Sequence, residues 1–125
     1  MLEAIKFEPT NETPGVVLDK ENSIFEFKGR SLPEDVNKFY GPVKEWLKQY
    51  TKEPNKQTKI VFNLDYFNSS SARVLVKILV EMEAIAEKGY DVSVDWYYKE
   101  NDDVMEDRGD EIKSVLRIPF NLVKI

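Results

Sequence analysis

Cysteine and histidine are both missing from this chain of 125 residues. Without cysteine there is no disulfide framework, no thiolate nucleophile and no Cys/His zinc site. Without histidine there is no Ser-His-Asp triad, no haem ligation by imidazole and no imidazole acid–base step. Carboxylate, hydroxyl and lysine chemistry remain. Long apolar runs are also lacking, since no stretch approaches the about 18 residues of a membrane span. The opening MLEAIKFEPT carries neither a basic n-region nor a long apolar h-region. A cytoplasmic protein without membrane insertion is the expectation. Clustered positive charge is scarce too. With a pI near 4.9 and no Lys/Arg stripe to release counterions from phosphates, binding to nucleic acid is disfavoured.

What is present suffices for a core. Hydrophobic residues make up 42% and charged residues 33%, with seven Phe, six Tyr and two Trp, a balance that buries apolar surface without metals or disulfides. At about 100–200 residues per domain, residues 1–125 make one domain. The formal charge is −5, and its placement is uneven. Between Asn101 and Glu111, Asp102, Asp103, Glu106, Asp107, Asp110 and Glu111 face only Arg108, so this segment alone equals the net charge of −5.

The first third reads as strands. Ile5–Glu8 is a short extended piece ended by Pro9, and Gly15–Asp19 and Ser23–Lys28 are joined by a polar link of hairpin length. Phe25 and Phe27 alternate with Ile24, Glu26 and Lys28, which puts both rings on one face. Gly29 is expected to break this strand, and Ser31 to Glu34 has the form of a capping box with Ser31 as N-cap. The helix that follows carries Val36, Phe39, Tyr40, Val43, Trp46, Leu47 and Tyr50 on one stripe, with Gly41-Pro42 as a candidate kink.

Ile60–Leu64 is short, largely apolar and β-prone, and predicts an interior strand buried on both faces. From Ala72, the residues Leu75, Ile78, Leu79, Met82, Ile85 and Ala86 trace a second helix that stops at Gly89. Val92, Val94 and Trp96 alternate in a strand reaching about Tyr98. After the acidic segment, Ile112, Val115 and Leu116 suggest a short third helix, and Pro119–Val123 a last edge strand. Strand–helix–strand succession implies parallel neighbours joined by right-handed crossovers, while the opening hairpin adds antiparallel strands. The fold class is α/β, a mixed sheet of four to six strands with about three helices packed on it.

The informative constellation is Asn68-Ser69-Ser70-Ser71, between a central strand and the second helix. Carboxyl ends of parallel strands open into crevices, and the first helical turn presents unpaired N–H groups and positive dipole to an anion. Capping by one serine, Ser70 or Ser71, is one sufficient explanation of the cluster. The other is phosphorylation, which adds about −1.5 to −2 charge where donors can receive it. Ser69 is the best acceptor on that reading: it is expected to precede the helix and stay reachable, with Arg73 at i+4 as a phosphate partner. The same turn could instead serve a small-anion binder or an enzyme as a pocket. No glycine-rich phosphate loop is present.

The segment LDYFNSSSAR, together with GRSLPEDVNKFYGPVKEWLKQY upstream, resembles the SiaC family of bacterial regulatory phosphoproteins over nearly the whole chain. The resemblance implies a STAS-like fold of the anti-sigma-factor-antagonist type and no enzymatic activity. It also implies three protein partners: a GHKL-type, SiaB-like kinase, a PP2C-type, SiaA-like phosphatase, and a SiaD-like diguanylate cyclase of c-di-GMP and biofilm signalling. Phosphorylation would control binding to the cyclase and its activation. On the family pattern the phosphoacceptor follows the Asn, which is Ser69 here, with Asn68, Ser70, Ser71 and Arg73 around it. Tyr66, Phe67, Arg30, Ser31 and Glu34 are candidate partner-binding residues. Serine stands at 69 where typical members carry threonine.

No cofactor and no metal is expected. Asp102, Asp103, Glu106 and Asp107 fall at helical spacings, but the pattern is not that of an EF-hand loop, and a solvated acidic face or a contact for a basic partner is the expectation.

Overall fold

Alternation along the strands decides which side of the sheet is dry. In the computed structural model, which describes residues 2–125, the elements follow as β1 (Ile5–Phe7), β2 (Gly15–Asp19), β3 (Ile24–Ser31), α1 (Val36–Tyr50), β4 (Gln57–Phe67), α2 (Ser69–Glu87), β5 (Asp91–Tyr98), α3 (Asp103–Ser114) and β6 (Phe120–Lys124). The strands form one six-stranded sheet in sequence order. β1, β2 and β3 pair antiparallel, and β3, β4, β5 and β6 pair parallel. Because successive parallel strands step in one direction, three right-handed crossovers lay α1, α2 and α3 on the same face. That face holds the core: Val16, Leu18, Phe25, Phe27, Ile60, Phe62, Leu64, Val92, Val94 and Trp96 point from the sheet into the buried stripes of the helices.

Several sequence expectations are corrected by this arrangement. Ile60–Leu64 is not buried on both faces. It is the middle of the longer β4, in which Thr58, Ile60, Phe62 and Leu64 face the helices while Val61 and Asn63 lie half-buried on the uncovered face. Gly29 does not end β3. It adopts φ +107, a conformation that favours glycine, and the pairing register shifts between it and Arg30. Gly29 opposes Leu64 and Arg30 opposes Tyr66, so Asp65 is the extra residue of a bulge. Ser31 does not cap α1 either. It is the last residue of β3, paired with Phe67, and the cap of α1 is Asp35, whose side chain accepts from the Lys38 N–H. The capping box fails because a buried strand pairing has a prior claim on Ser31.

α1 runs unbroken through Gly41-Pro42. α3 begins in the acidic segment rather than after it: Asp102 caps it, Met105, Gly109 and Ile112 turn inward, and Asp103, Asp107, Asp110 and Glu111 are exposed. The Cβ-less Gly109 is what lets α3 approach the sheet, since a methyl group there would stand 2.5 Å from two ring atoms of Trp96.

Candidate functional site

The carboxyl ends of β3, β4 and β5 open at one edge, where the loops to α1, α2 and α3 leave the sheet. The bulge aims the residues of this edge. β4 alternates up to Leu64, then Asp65 and Tyr66 are both exposed and Phe67 returns to the core. Without the extra residue, Tyr66 would point inward and Phe67 to solvent. Tyr66 instead lies across β3 beneath the Arg30 guanidinium, 5.6 Å from its ring centroid. Arg30 also donates to the Asn11 carbonyl at 3.1 Å. The buried Phe67 ring is covered by the Arg108 guanidinium at 5.1 Å, so α3 reaches over the end of β4.

Asn68 then turns the chain into α2. It is the N-cap, with extended backbone, and its side-chain oxygen accepts the Ser71 N–H at 2.9 Å. The expectation that Ser70 or Ser71 caps the helix is therefore corrected, as is the placement of Ser69 before the helix: Ser69 is its first residue. The three serines diverge from there. Ser69 is exposed, Ser70 half-buried and Ser71 fully buried. The N–H groups of Ser69 and Ser70 have no acceptor within the helix, no acidic residue sits in the first turn, and Arg73 is exposed one turn on. The outer side of this turn is electropositive and holds one accessible hydroxyl.

Its inner side is a closed hydrogen-bond chain. Ser31 Oγ donates to Ser71 Oγ at 2.7 Å, and Ser71 Oγ donates to the Ser31 carbonyl at 3.0 Å. The Ser31 proton being committed, Tyr40 donates its own to Ser31 Oγ, at 2.6 Å. The Asn68 N–H reaches the same Ser31 carbonyl at 3.0 Å. Three hydroxyls thus tie β3, α1 and α2 together directly beneath Ser69. Of the candidate partner-binding residues, Arg30, Tyr66 and Glu34 are exposed, whereas Ser31 and Phe67 are buried and can act only by supporting the surface above them. The sequence places Tyr40 on the buried stripe of α1 but gives neither its hydroxyl bond to Ser31 nor the Ser31–Ser71 pairing. A signal existed for Ser71, which stands three and four residues before the core residues Val74 and Leu75, on the buried stripe.

Burial pushes the Tyr40 phenol from its ordinary 10.0 up to about 12. The unfolded chain therefore releases this proton first, and the stabilisation present below about pH 10 is lost as pH rises through the folded value. At about 1.4 kcal/mol per pKa unit, the loss attributable to Tyr40 is roughly 2–3 kcal/mol between pH 10 and 12. Urea titrations across that range should show a shallower alkaline decline for Tyr40→Phe than for the parent chain. Parallel declines would remove Tyr40 from this account.

Elsewhere the surface is less specific. A cavity of about 690 Å³, lined by Lys20, Tyr50 and Asn55 among others, opens at the amino ends of the parallel strands, away from Ser69. No helix among the described residues is long and apolar enough to cross a membrane.

Comparison with known proteins gives this geometry a context. The chain is 24% identical over 111 residues to an uncharacterised protein of Pseudomonas aeruginosa strain UCBPP-PA14, covering 89% of this chain and 88% of that one. It superposes on the structure of SiaC of Pseudomonas aeruginosa with a TM-score of 0.90 at 22% identity, covering 98% and 99% of the two chains. A crystal structure of the diguanylate cyclase SiaD in complex with its activator SiaC, from the same organism, matches with a TM-score of 0.91 at 22% identity, over 97% and 99%. Residues 7–125 match the family described as SiaC family regulatory phosphoproteins. The match leaves out only the first six residues, and the chain belongs to the SiaC family.

Proposed function

We propose that this chain is a non-catalytic cytoplasmic switch, reversibly phosphorylated on Ser69 and acting by binding other proteins. The observation that carries the reading is the divergence of the three serines. Ser69 alone among them is exposed, at a helix start with free N–H donors, no resident carboxylate and Arg73 one turn away. A GHKL-type kinase transfers the γ-phosphoryl group of ATP to Ser69 Oγ, so the new O–P bond replaces the β–γ bridge and ADP leaves. A PP2C-type phosphatase returns the hydroxyl by hydrolysis, releasing inorganic phosphate. The output partner is a diguanylate cyclase that the chain binds and activates. The family's description as regulatory phosphoproteins and the SiaD–SiaC complex support this assignment.

The physics of the switch is local. A phosphoryl group changes the charge of the docking surface around α2 by about −1.5 to −2, and one partner is favoured in each modification state. A near-complete exchange of partners requires affinities that differ by about 5.5 kcal/mol between the two forms. Incubation of the purified chain with the kinase and ATP should add one phosphoryl mass, mapped to Ser69 and absent from Ser69→Ala. Phosphate found only on Ser31, or on none of the serines, overturns the assignment.

A further inference from the structure

The end of the sheet away from Ser69 holds a fixed cation with no anion of its own. Between the tip of the β2–β3 hairpin and the turn after α1 lies an open cleft of about 690 Å³, a size common among small-molecule sites. Asn55 organises it. Its side-chain amide donates to the Lys20 carbonyl at 2.9 Å and to Ser23 Oγ at 3.0 Å, which settles where the amide oxygen points. That oxygen accepts from Lys20 Nζ at 3.0 Å, and the ammonium also stands over the Tyr50 ring, 5.8 Å from its centroid. The ring is itself held: it is buried, stacked on Trp46 at 5.4 Å, and its hydroxyl accepts the Asn55 N–H at 3.0 Å.

Holding a long lysine side chain in one geometry costs rotamer entropy, and a carboxylate is the usual compensation. Lys20 has none. The ion pairs among the described residues are Lys6–Glu8, Lys59–Asp95 and Lys99–Asp65. The Lys20 ammonium gives one proton to a neutral amide and keeps two for a ligand in the cleft that it lines. Lys52, exposed on the α1 side of the cleft, has no paired carboxylate either. Ser23 Oγ receives the Asn55 amide and retains its own proton to donate. The negative pole of α1 points this way, but its last carbonyls are occupied: Lys48 by the Thr51 hydroxyl, Gln49 by the Lys52 N–H and Tyr50 by the Glu53 N–H. Glu21 and Glu53, both exposed, are the acids of the rim.

We infer that this cleft binds a small phosphoester. Its phosphoryl oxygens accept from Lys20 Nζ, Ser23 Oγ and Lys52 Nζ, and hydroxyl groups of its organic part donate to Glu21 and Glu53. The mixed lining selects the ligand. A bare anion would satisfy the lysines and be repelled by the rim carboxylates, whereas a molecule joining phosphate to hydroxyls gives both signs a partner. Because Asn55 and Tyr50 already hold the Lys20 ammonium in place, binding need not order it again. The cleft stands apart from the Ser69 turn, and neither reading needs the other.

The test titrates the isotope-labelled full chain with inorganic phosphate, ribose 5-phosphate and AMP, following backbone amide shifts by NMR. Saturable shifts are expected at Lys20–Ser23 and Lys52–Asn55, with both esters binding more tightly than inorganic phosphate. Lys20→Met keeps most of the apolar stem and should weaken ester binding about 10-fold or more, the scale of a lost charge-assisted hydrogen bond. The exposed Lys52→Gln should weaken it by a smaller factor and leave the melting temperature unchanged, so that a folding defect at position 20 would not mask the result. Ser69→Ala should bind like the parent chain. Equal affinity for all three probes removes the contacts to Glu21 and Glu53 and overturns the assignment to an ester. Shifts confined to Asn68–Arg73 would place the phosphate at the start of α2 and overturn the cleft as its site. So would the absence of saturation up to about 10 mM, or undiminished binding by folded Lys20→Met and Lys52→Gln.

Discussion

A Trp96→Ala chain is expected to unfold with about 3–5 kcal/mol less free energy than the parent, the usual cost of removing a large ring from a well-packed core. Trp96 is 1% exposed and its ring centroid lies 5.5 Å from Phe62, 5.6 Å from Phe67 and 6.0 Å from Phe120. Its indole N–H donates to the Met105 carbonyl at 3.0 Å, so the same side chain holds α3 against β5. Since domains have only about 5–15 kcal/mol in total, the loss is a large share of the reserve. Gly109→Ala attacks the contact from the other side: its new methyl would meet Trp96 at 2.5 Å and the Leu122 side chain at 2.7 Å, and helix or ring must move, at about 1–3 kcal/mol or more. Urea unfolding measures both. The neighbouring Tyr97, half-buried on the open face, serves as control, with Tyr97→Ala well below Trp96→Ala. Equal losses at 96 and 97 would mean that the sheet is not covered on one side only.

That one-sided cover shows where sequence reasoning carries and where it stops. Phe25, Phe27, Val92, Val94 and Trp96 were placed on a dry face by their period of two, and the helical stripes of α1 and α2 by their period of 3.6, because burial imposes those periods directly. A mixed α/β sheet of four to six strands with about three helices follows from the order of such segments, and the structure has six strands and three helices. The one-sided burial of β4 escaped because Ile60, Val61 and Phe62 are adjacent and apolar, and a short apolar run does not say whether one face or two are covered. The answer lay in β6, which took the place beside β5 and left every crossover on one side. The start of α3 within the acidic segment escaped for the opposite reason. Its inward residues are Met105, Gly109 and Ile112, and a glycine chosen for close approach leaves a gap in any apolar stripe.

At the candidate site, position was legible and orientation was not. A polar turn between a central strand and a helix is visible in the residues 68–71 alone, and Ser69 is the exposed serine of that turn. The capping roles were misassigned because Ser, Asn and Asp are nearly equivalent as caps, and the choice among neighbours was made elsewhere. The bulge at Asp65 sets the phase with which Phe67 and Asn68 leave the strand, and Ser31, forty residues upstream of Ser71, supplies the partner that holds Ser71 inside. Non-local pairing of this kind has no periodicity to betray it.

The same geometry makes Ser69 and Ser71 respond oppositely to a carboxylate. Ser69→Asp places a negative charge on the first residue of α2, where helix dipole and free N–H groups favour it by about 0.3–1 kcal/mol, so its melting temperature should equal or slightly exceed that of the parent. Ser71→Asp buries a carboxylate against the Ser31 carbonyl, 3.0 Å from the present hydroxyl, in a site with no solvent exposure. An acceptor facing an acceptor in a dry site costs several kcal/mol, enough to lower the melting temperature by about 10 °C or more. Burial also raises the pKa of the new acid. Its folded value then exceeds its unfolded one, so the penalty is largest at neutral pH and shrinks as pH falls through the folded value. Melting curves at pH 7 and pH 5 read both effects: a wide gap between the variants at neutral pH, narrowing in acid. Coincident curves at pH 7 would show that Ser71 can carry charge in the native fold, and with that the physical reason for singling out Ser69 would be gone.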